Sequence, residues 1–195
     1  MKIQDLFEAQ RNKVILIDFQ PSYDDGTVRY QKALMSACNY INNNPNVEVI
    51  AFFNGSDIGV EDTETDVQFH YLEYGLNEEC LYNITFTEKI YSFLRPWMDL
   101  GVDSGQIKQA LRYMLLNKID DSREIPEEVY KQLLGDYNIH REDNIFLPNI
   151  AISQLKQFNN CLMGGGARSE CFKEMQILMS AFNIRHKEIQ QWIYD

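Results

Sequence analysis

Lys13-Val-Ile-Leu-Ile-Asp18 and Val47-Glu-Val-Ile-Ala-Phe-Phe53 flank a stretch of helical spacing, Val28–Asn42, and this strand-helix-strand order decides the fold. Each flanking segment is an unbroken apolar run, the pattern of a strand buried on both faces of a parallel sheet. Between them Tyr30, Leu34, Ala37 and Ile41 recur at helical spacing, and Asn42-Asn-Asn-Pro45 ends the pattern. Phe19-Gln-Pro-Ser-Tyr-Asp-Asp-Gly26 has the composition of a loop. The unit is β-α-β, and its parallel crossover is expected to be right-handed.

Moving outward, Asp66–Tyr74 predicts a helix closed by Gly75, and Asn83–Thr87 a third strand. Tyr91–Leu100 is helical in spacing but interrupted by Pro96; Ser104–Lys118 and Pro126–Leu134 are further helices. The stretch from about 95 to 145 is therefore expected to be an all-helical insertion. A short helix at Ile152–Phe158 precedes Cys161-Leu-Met163, a strand running into Gly164-Gly-Gly166. A helix at Glu170–Phe182 and a last strand or extended tail at Ile184–Tyr194 complete the pattern, while residues 1–12 have the spacing of a short amphipathic helix. Strands alternating with helices predict an α/β, Rossmann-like three-layer fold: one domain over 1–195, with a mainly parallel sheet and the helical insertion.

Composition narrows the function classes. The 195 residues are 45% apolar, with 11 Phe and 11 Tyr, enough material for a sizeable core. No apolar run approaches membrane-spanning length, and the start of the chain lacks the apolar segment of a secretory signal, so a cytoplasmic setting is expected. The net charge of −11 opposes a nucleic-acid backbone as main partner and reads as solubility, and the partner expected is a small-molecule ligand at the strand ends. Self-association into a homo-oligomer is left open. Cys38, Cys80, Cys161 and Cys171 form no C-x-x-C pair and have no accompanying histidine cluster, so neither a zinc site nor another cofactor is expected.

In open parallel sheets ligands bind beyond the carboxyl ends of the strands. That rule singles out Asp18, Lys89 and the turn at 164–171. Three glycines between a strand and a helix allow close backbone approach, with helix N–H groups available to an anion or a developing oxyanion. Cys171 falls in the first helical turn, where the dipole favours thiolate, and Arg168 could add positive charge. Each has a plainer explanation: tight strand-helix packing for the glycines, and pairing with Glu170 or Glu174 for Arg168.

Leu162-Met-Gly-Gly-Gly-Ala-Arg-Ser-Glu-Cys171 resembles the nucleophile turn of the isochorismatase-like cysteine hydrolases, a strand followed by Gly and Ala-Thr-x-x-Cys. Val14-Ile-Leu-Ile-Asp-Phe-Gln20 is similar to the family's first strand, which ends in Asp-x-Gln. Glu88-Lys-Ile-Tyr-Ser-Phe93 is similar to the segment that carries its active-site lysine. The resemblance implies Cys171 as nucleophile, Asp18 as general base and Lys89 as the cation beside it. It also implies an oxyanion and substrate site over Gly165, Gly166, Ala167 and Arg168, and a small amide or related metabolite as substrate. The chain departs from the pattern in placing Arg168 at the usual threonine and in shortening the Lys-to-Phe spacing. Asn54-Gly-Ser-Asp-Ile-Gly-Val-Glu-Asp62 stands where nicotinamidases of the family carry metal-binding histidines. A binding protein without turnover is the second reading. The third is a PIN- or NYN-like nuclease, with Asp18, Asp24, Asp25, Asp57, Glu61 and Asp62 holding metal.

Overall fold

A computed structural model of the chain describes residues 12–55, 62–89, 94–135, 144–147 and 149–194. Five strands form one all-parallel sheet: β1 Lys13–Ile17, β2 Glu48–Asn54, β3 Ile84–Lys89, β4 Cys161–Gly165 and β5 His186–Glu188. Their spatial order is β3-β2-β1-β4-β5, a Rossmann-like α/β arrangement. The chain builds outward from β1 to β3 and then crosses to the other side of β1. The order therefore reverses between β1 and β4, where Ile17 stands opposite Gly165. Such reversals open a crevice beyond the strand ends, the usual ligand position in this architecture.

The helices are α1 Val28–Asn42, α2 Glu64–Glu73, α3 Arg95–Asp99, α4 Ser104–Asn117, α5 Glu127–Leu134, α6 Asn149–Gln157 and α7 Cys171–Ala181. Val28–Asn42 coincides with the helix predicted from spacing, and Thr27 caps it by accepting from the Tyr30 amide. A reciprocal Thr63–Asp66 capping box starts α2 two residues earlier than the apolar spacing indicated. Pro96 opens α3 rather than interrupting it, because the first helical turn needs no intrahelical donor from proline. The expected helix over 1–12 and the turn over 54–59 fall mostly outside the described residues.

The fold divides into two compact units. The first, residues 1–89, 160–173 and 186–195, holds the sheet. Its core joins Val14, Leu16, Val49 and Ala51 on the strands to Leu34, Ala37 and Ile41 on α1 and to Trp192 near the C-terminus. The second unit, residues 90–159 and 174–185, contains helices and no sheet strand among its described residues. It is wider than the helical stretch expected at 95–145, extending through α6 and most of α7. Trp97 packs edge-on against Tyr130 within it, and Ser122 accepts from the Ile145 amide at 2.9 Å to tie two of its loops.

The final segment supplies the last strand, β5, as one of its two readings expected, and then continues. After β5, a turn of 3-10 helix at Gln190–Trp192 lays Trp192 against Tyr40 of α1, with ring centres 5.3 Å apart. The indole nitrogen donates to Ser36 Oγ at 3.2 Å. Tyr194 then pairs with Ala167, just beyond β4.

Candidate functional site at the carboxyl rim of the sheet

Asp18 is the first residue past β1 and is completely buried. Its backbone lies in the left-handed region at φ 55°, a conformation that costs a non-glycine residue about 1–3 kcal/mol and persists only where its surroundings hold it. They do hold it. The Asp18 amide donates to the Phe52 carbonyl at 2.8 Å, and its own carbonyl accepts from the Tyr194 hydroxyl. Lys89, the last residue of β3 and equally buried, reaches past β2 to place Nζ 2.6 Å from Asp18 Oδ2. The other carboxylate oxygen, Oδ1, is buried with no hydrogen-bond partner among the described residues.

An ion pair buried this deeply needs close geometry to offset the loss of hydration. Leaving one carboxylate oxygen without a donor adds to that cost, and such orphans are scarce in native interiors. The arrangement holds a carboxylate in place and keeps one acceptor unspent.

The glycine turn lies on the neighbouring strand. Gly164 makes room for Trp192, since a Cβ there would come within 3.1 Å of the indole ring. At Gly165, φ is 88° and an added Cβ would lie 2.7 Å from the Ile17 nitrogen and closer still to its carbonyl oxygen. At Gly166 an added Cβ would be 3.3 Å from both Ile17 Cγ2 and Cys171 Cβ. Packing thus accounts for all three glycines. The same closeness sets the glycine turn that leads to Cys171 against the end of β1, where Asp18 begins.

Cys171 opens α7 and is half-buried, whereas Cys38, Cys80 and Cys161 are buried. The Ala167 carbonyl accepts from the Glu170 and Phe172 amides, both at 3.1 Å, closing the turn that launches the helix. Tyr23 ties the candidates to one place. Burial raises its phenol above the ordinary value, and the hydrogen bond from Asn54 opposes that rise. Asp18, Lys89 and Cys171 all lie close enough to act on it electrostatically. Asp18, Lys89, Gly165, Gly166, Ala167 and Cys171 therefore meet at one rim of one unit.

Arg168 is placed differently. It is exposed, and its guanidinium donates to Gln190 Oε1. That amide belongs to the C-terminal segment. Ile90–Phe93, the rest of the segment that resembles the family's lysine motif, lie outside the described residues.

Comparison of the chain with protein-family models, with curated proteins and with solved structures finds no match.

The acids read as a third candidate are spread over separate tasks. Asp24 accepts from Tyr74 and from the Gly26 amide, Asp25 accepts from the Thr27 amide, and Asp62 accepts from Ser22 and Gln20. Asp57 and Glu61 lie outside the described residues. Among the described residues no group of three or more His, Cys, Asp or Glu side chains could hold a metal ion.

Gln20, the Gln of the Asp-x-Gln resemblance, and Asn54, Tyr23 and Tyr194, to which the sequence reading gave no role, also shape the rim. Gln20 is buried and bolts the loop after β1 to the end of β2: its Oε1 accepts from the Asn54 amide at 2.7 Å and its Nε2 donates to the Asn54 carbonyl at 3.0 Å. Asn54 in turn donates to the Tyr23 hydroxyl. Tyr194 holds Asp18 from the far end of the chain. A polar residue closing the buried strand β2 was a usable signal for Asn54. Nothing local marked Tyr23 or Tyr194.

Proposed function

We propose that the chain is a cysteine hydrolase of the isochorismatase-like kind, acting on a small amide or related metabolite through Cys171. The supporting observation is the buried Asp18–Lys89 pair at the β1/β4 reversal, with Asp18 Oδ1 unpartnered and the Cys171 turn packed against the same strand end. A base needs an acceptor that is not already bonded, and Oδ1 is one. A nucleophilic thiol needs such a base nearby and gains from a helix N-terminus.

In this mechanism Asp18 takes the thiol proton, and Cys171 Sγ forms a bond to the substrate carbonyl carbon. Backbone N–H groups of the 165–171 turn stabilise the oxyanion. Collapse breaks the C–N bond, and Asp18 returns the proton to the leaving amine. Water, deprotonated by Asp18, then cleaves the thioester and restores the thiol. Throughout, Lys89 offsets the negative charge on Asp18 while that residue is ionised.

The test is the rate of Cys171 alkylation by iodoacetamide across pH, in the wild type and in Asp18→Asn. Cys171 is expected to react with a midpoint below the ordinary thiol value of about 8.5, and Asp18→Asn is expected to change that profile. An ordinary midpoint with no response to Asp18→Asn overturns the reading. A profile that does respond then justifies screening small amides for Cys171-dependent release of amine.

A further inference from the structure

Asp18 must stay in a backbone conformation that it would leave if released, and the residue best placed to keep it there is Tyr194. Of the hydrogen-bonding atoms of Asp18, the amide is held by β2, Oδ2 by Lys89, and the carbonyl oxygen by the Tyr194 hydroxyl. The same tyrosine pairs through its backbone with Ala167 of the glycine turn. Its ring is wedged between Tyr30, with centres 4.7 Å apart, and Phe19, at 5.4 Å. One residue thus touches both halves of the candidate site, the loop after β1 and the turn after β4.

We infer that Tyr194 is a positioning residue that clamps Asp18 in its left-handed conformation and fixes it relative to the Cys171 turn. The inference rests on Asp18 being the working carboxylate. A backbone amide could not substitute for the hydroxyl here, because the Tyr194 backbone is committed to Ala167 while the phenol reaches Asp18. Burial, followed by the nearby charge of Asp18, holds the phenol well above its ordinary value, so it remains a proton donor at any pH where the protein would work. The aromatic cluster supplies rigidity. Trp192, two residues earlier and anchored on α1 through Tyr40 and Ser36, fixes where the segment arrives.

Tyr194→Phe removes the hydroxyl and leaves the ring, so the packing with Tyr30 and Phe19 is retained. In that variant Cys171 alkylation is expected to slow about tenfold, the effect of one buried hydrogen bond. Adding Tyr194→Phe to Asp18→Asn should slow it no further, because the tyrosine acts through Asp18. The conformation of Asp18 is read separately by NMR. Its backbone shifts and amide-to-α-proton coupling should report the left-handed conformation in the wild type and its loss in Tyr194→Phe. That readout does not involve Cys171. If the conformation is lost while alkylation is indifferent to Asp18, the clamp stands and the hydrolase reading fails. If Asp18 keeps its conformation without the hydroxyl, the clamp is overturned. Should Tyr194→Phe fail to fold, the wild-type protein still decides: a protected Tyr194 hydroxyl proton in slow exchange supports the clamp, and a freely exchanging one refutes it.

Discussion

Cys161 opens β4 and Cys171 opens the helix that follows it, yet the two thiols occupy opposite chemical settings. Cys161 is completely buried, and burial pushes its thiol up to about 12, with a hydrogen bond to its own backbone pulling weakly the other way. Cys171 is half-buried at a helix N-terminus, on a rim that carries a buried Lys–Asp pair. Along a single strand the sheet passes from an apolar base, where a cysteine is only filler, to a polar edge that runs into a helix start. The lesson is that position along a parallel strand, more than residue type, separates core from site.

The sharpest way to break this contrast is to move the rim off the sheet. Gly165→Ala would drive a Cβ into the Ile17 backbone at a φ of 88°, where neither neighbour is a flexible side chain. Overpacking and backbone strain together should cost about 5 kcal/mol, enough to unfold a marginal domain. Gly166→Ala meets atoms no closer than 3.0 Å and should cost about 1–3 kcal/mol. Urea denaturation of the two variants side by side checks the ranking. Equal losses would show that the Ile17 contact does not set the register between β1 and β4.

A second test removes the charge that the rim is built around. Lys89→Met leaves the Asp18 carboxylate buried without its cation and should cost about 3–5 kcal/mol. Combining it with Asp18→Asn removes both charges and should recover most of that loss, since a neutral pair carries no uncompensated ion. A double variant as unstable as Lys89→Met alone would mean that the lysine contributes through packing and other bonds. Chemical denaturation at pH 7 reads the difference.

These sites differ in how much of them the sequence exposes. The β-α-β unit was legible because buried parallel strands are continuously apolar and α1 carries its own stop in Asn43-Asn44-Pro45. The positions of Asp18 and Lys89 at strand ends, and of Cys171 at the start of the helix after β4, were legible because the apolar runs and the glycine turn mark those ends. The crossing of the chain from β3 to β4 on the far side of β1 has no local signature, so the β1/β4 reversal had to be seen. The hydrogen bond of Tyr194 to Asp18 spans nearly the whole chain and follows from the tertiary fold alone. The contact of Arg168 with Gln190 likewise joins the glycine turn to a distant segment and had no local signature.

The gentlest probe of the Cys161/Cys171 contrast is alkaline pH. Burial pushes both Cys38 and Cys161 up to about 12 in the folded chain, against an ordinary thiol value of 9.0. Between those values the unfolded chain has given up both protons while the folded chain keeps them. The native state therefore binds more protons there, and stability must fall as pH rises. The contribution is complete below about 9 and is lost on the way to 12, at up to about 1.4 kcal/mol per pH unit for each thiol. Buried tyrosines, Tyr71 and Tyr194 among them, are raised by burial and act in the same direction. Cys161→Ala should remove one thiol's share of the slope, and Cys171→Ala should leave the slope nearly as it was. Urea midpoints measured from pH 8 to 11 distinguish the two. If Cys171→Ala flattens the slope as much as Cys161→Ala does, the rim thiol is held protonated like the one at the base, and the reactive role assigned to it loses its footing.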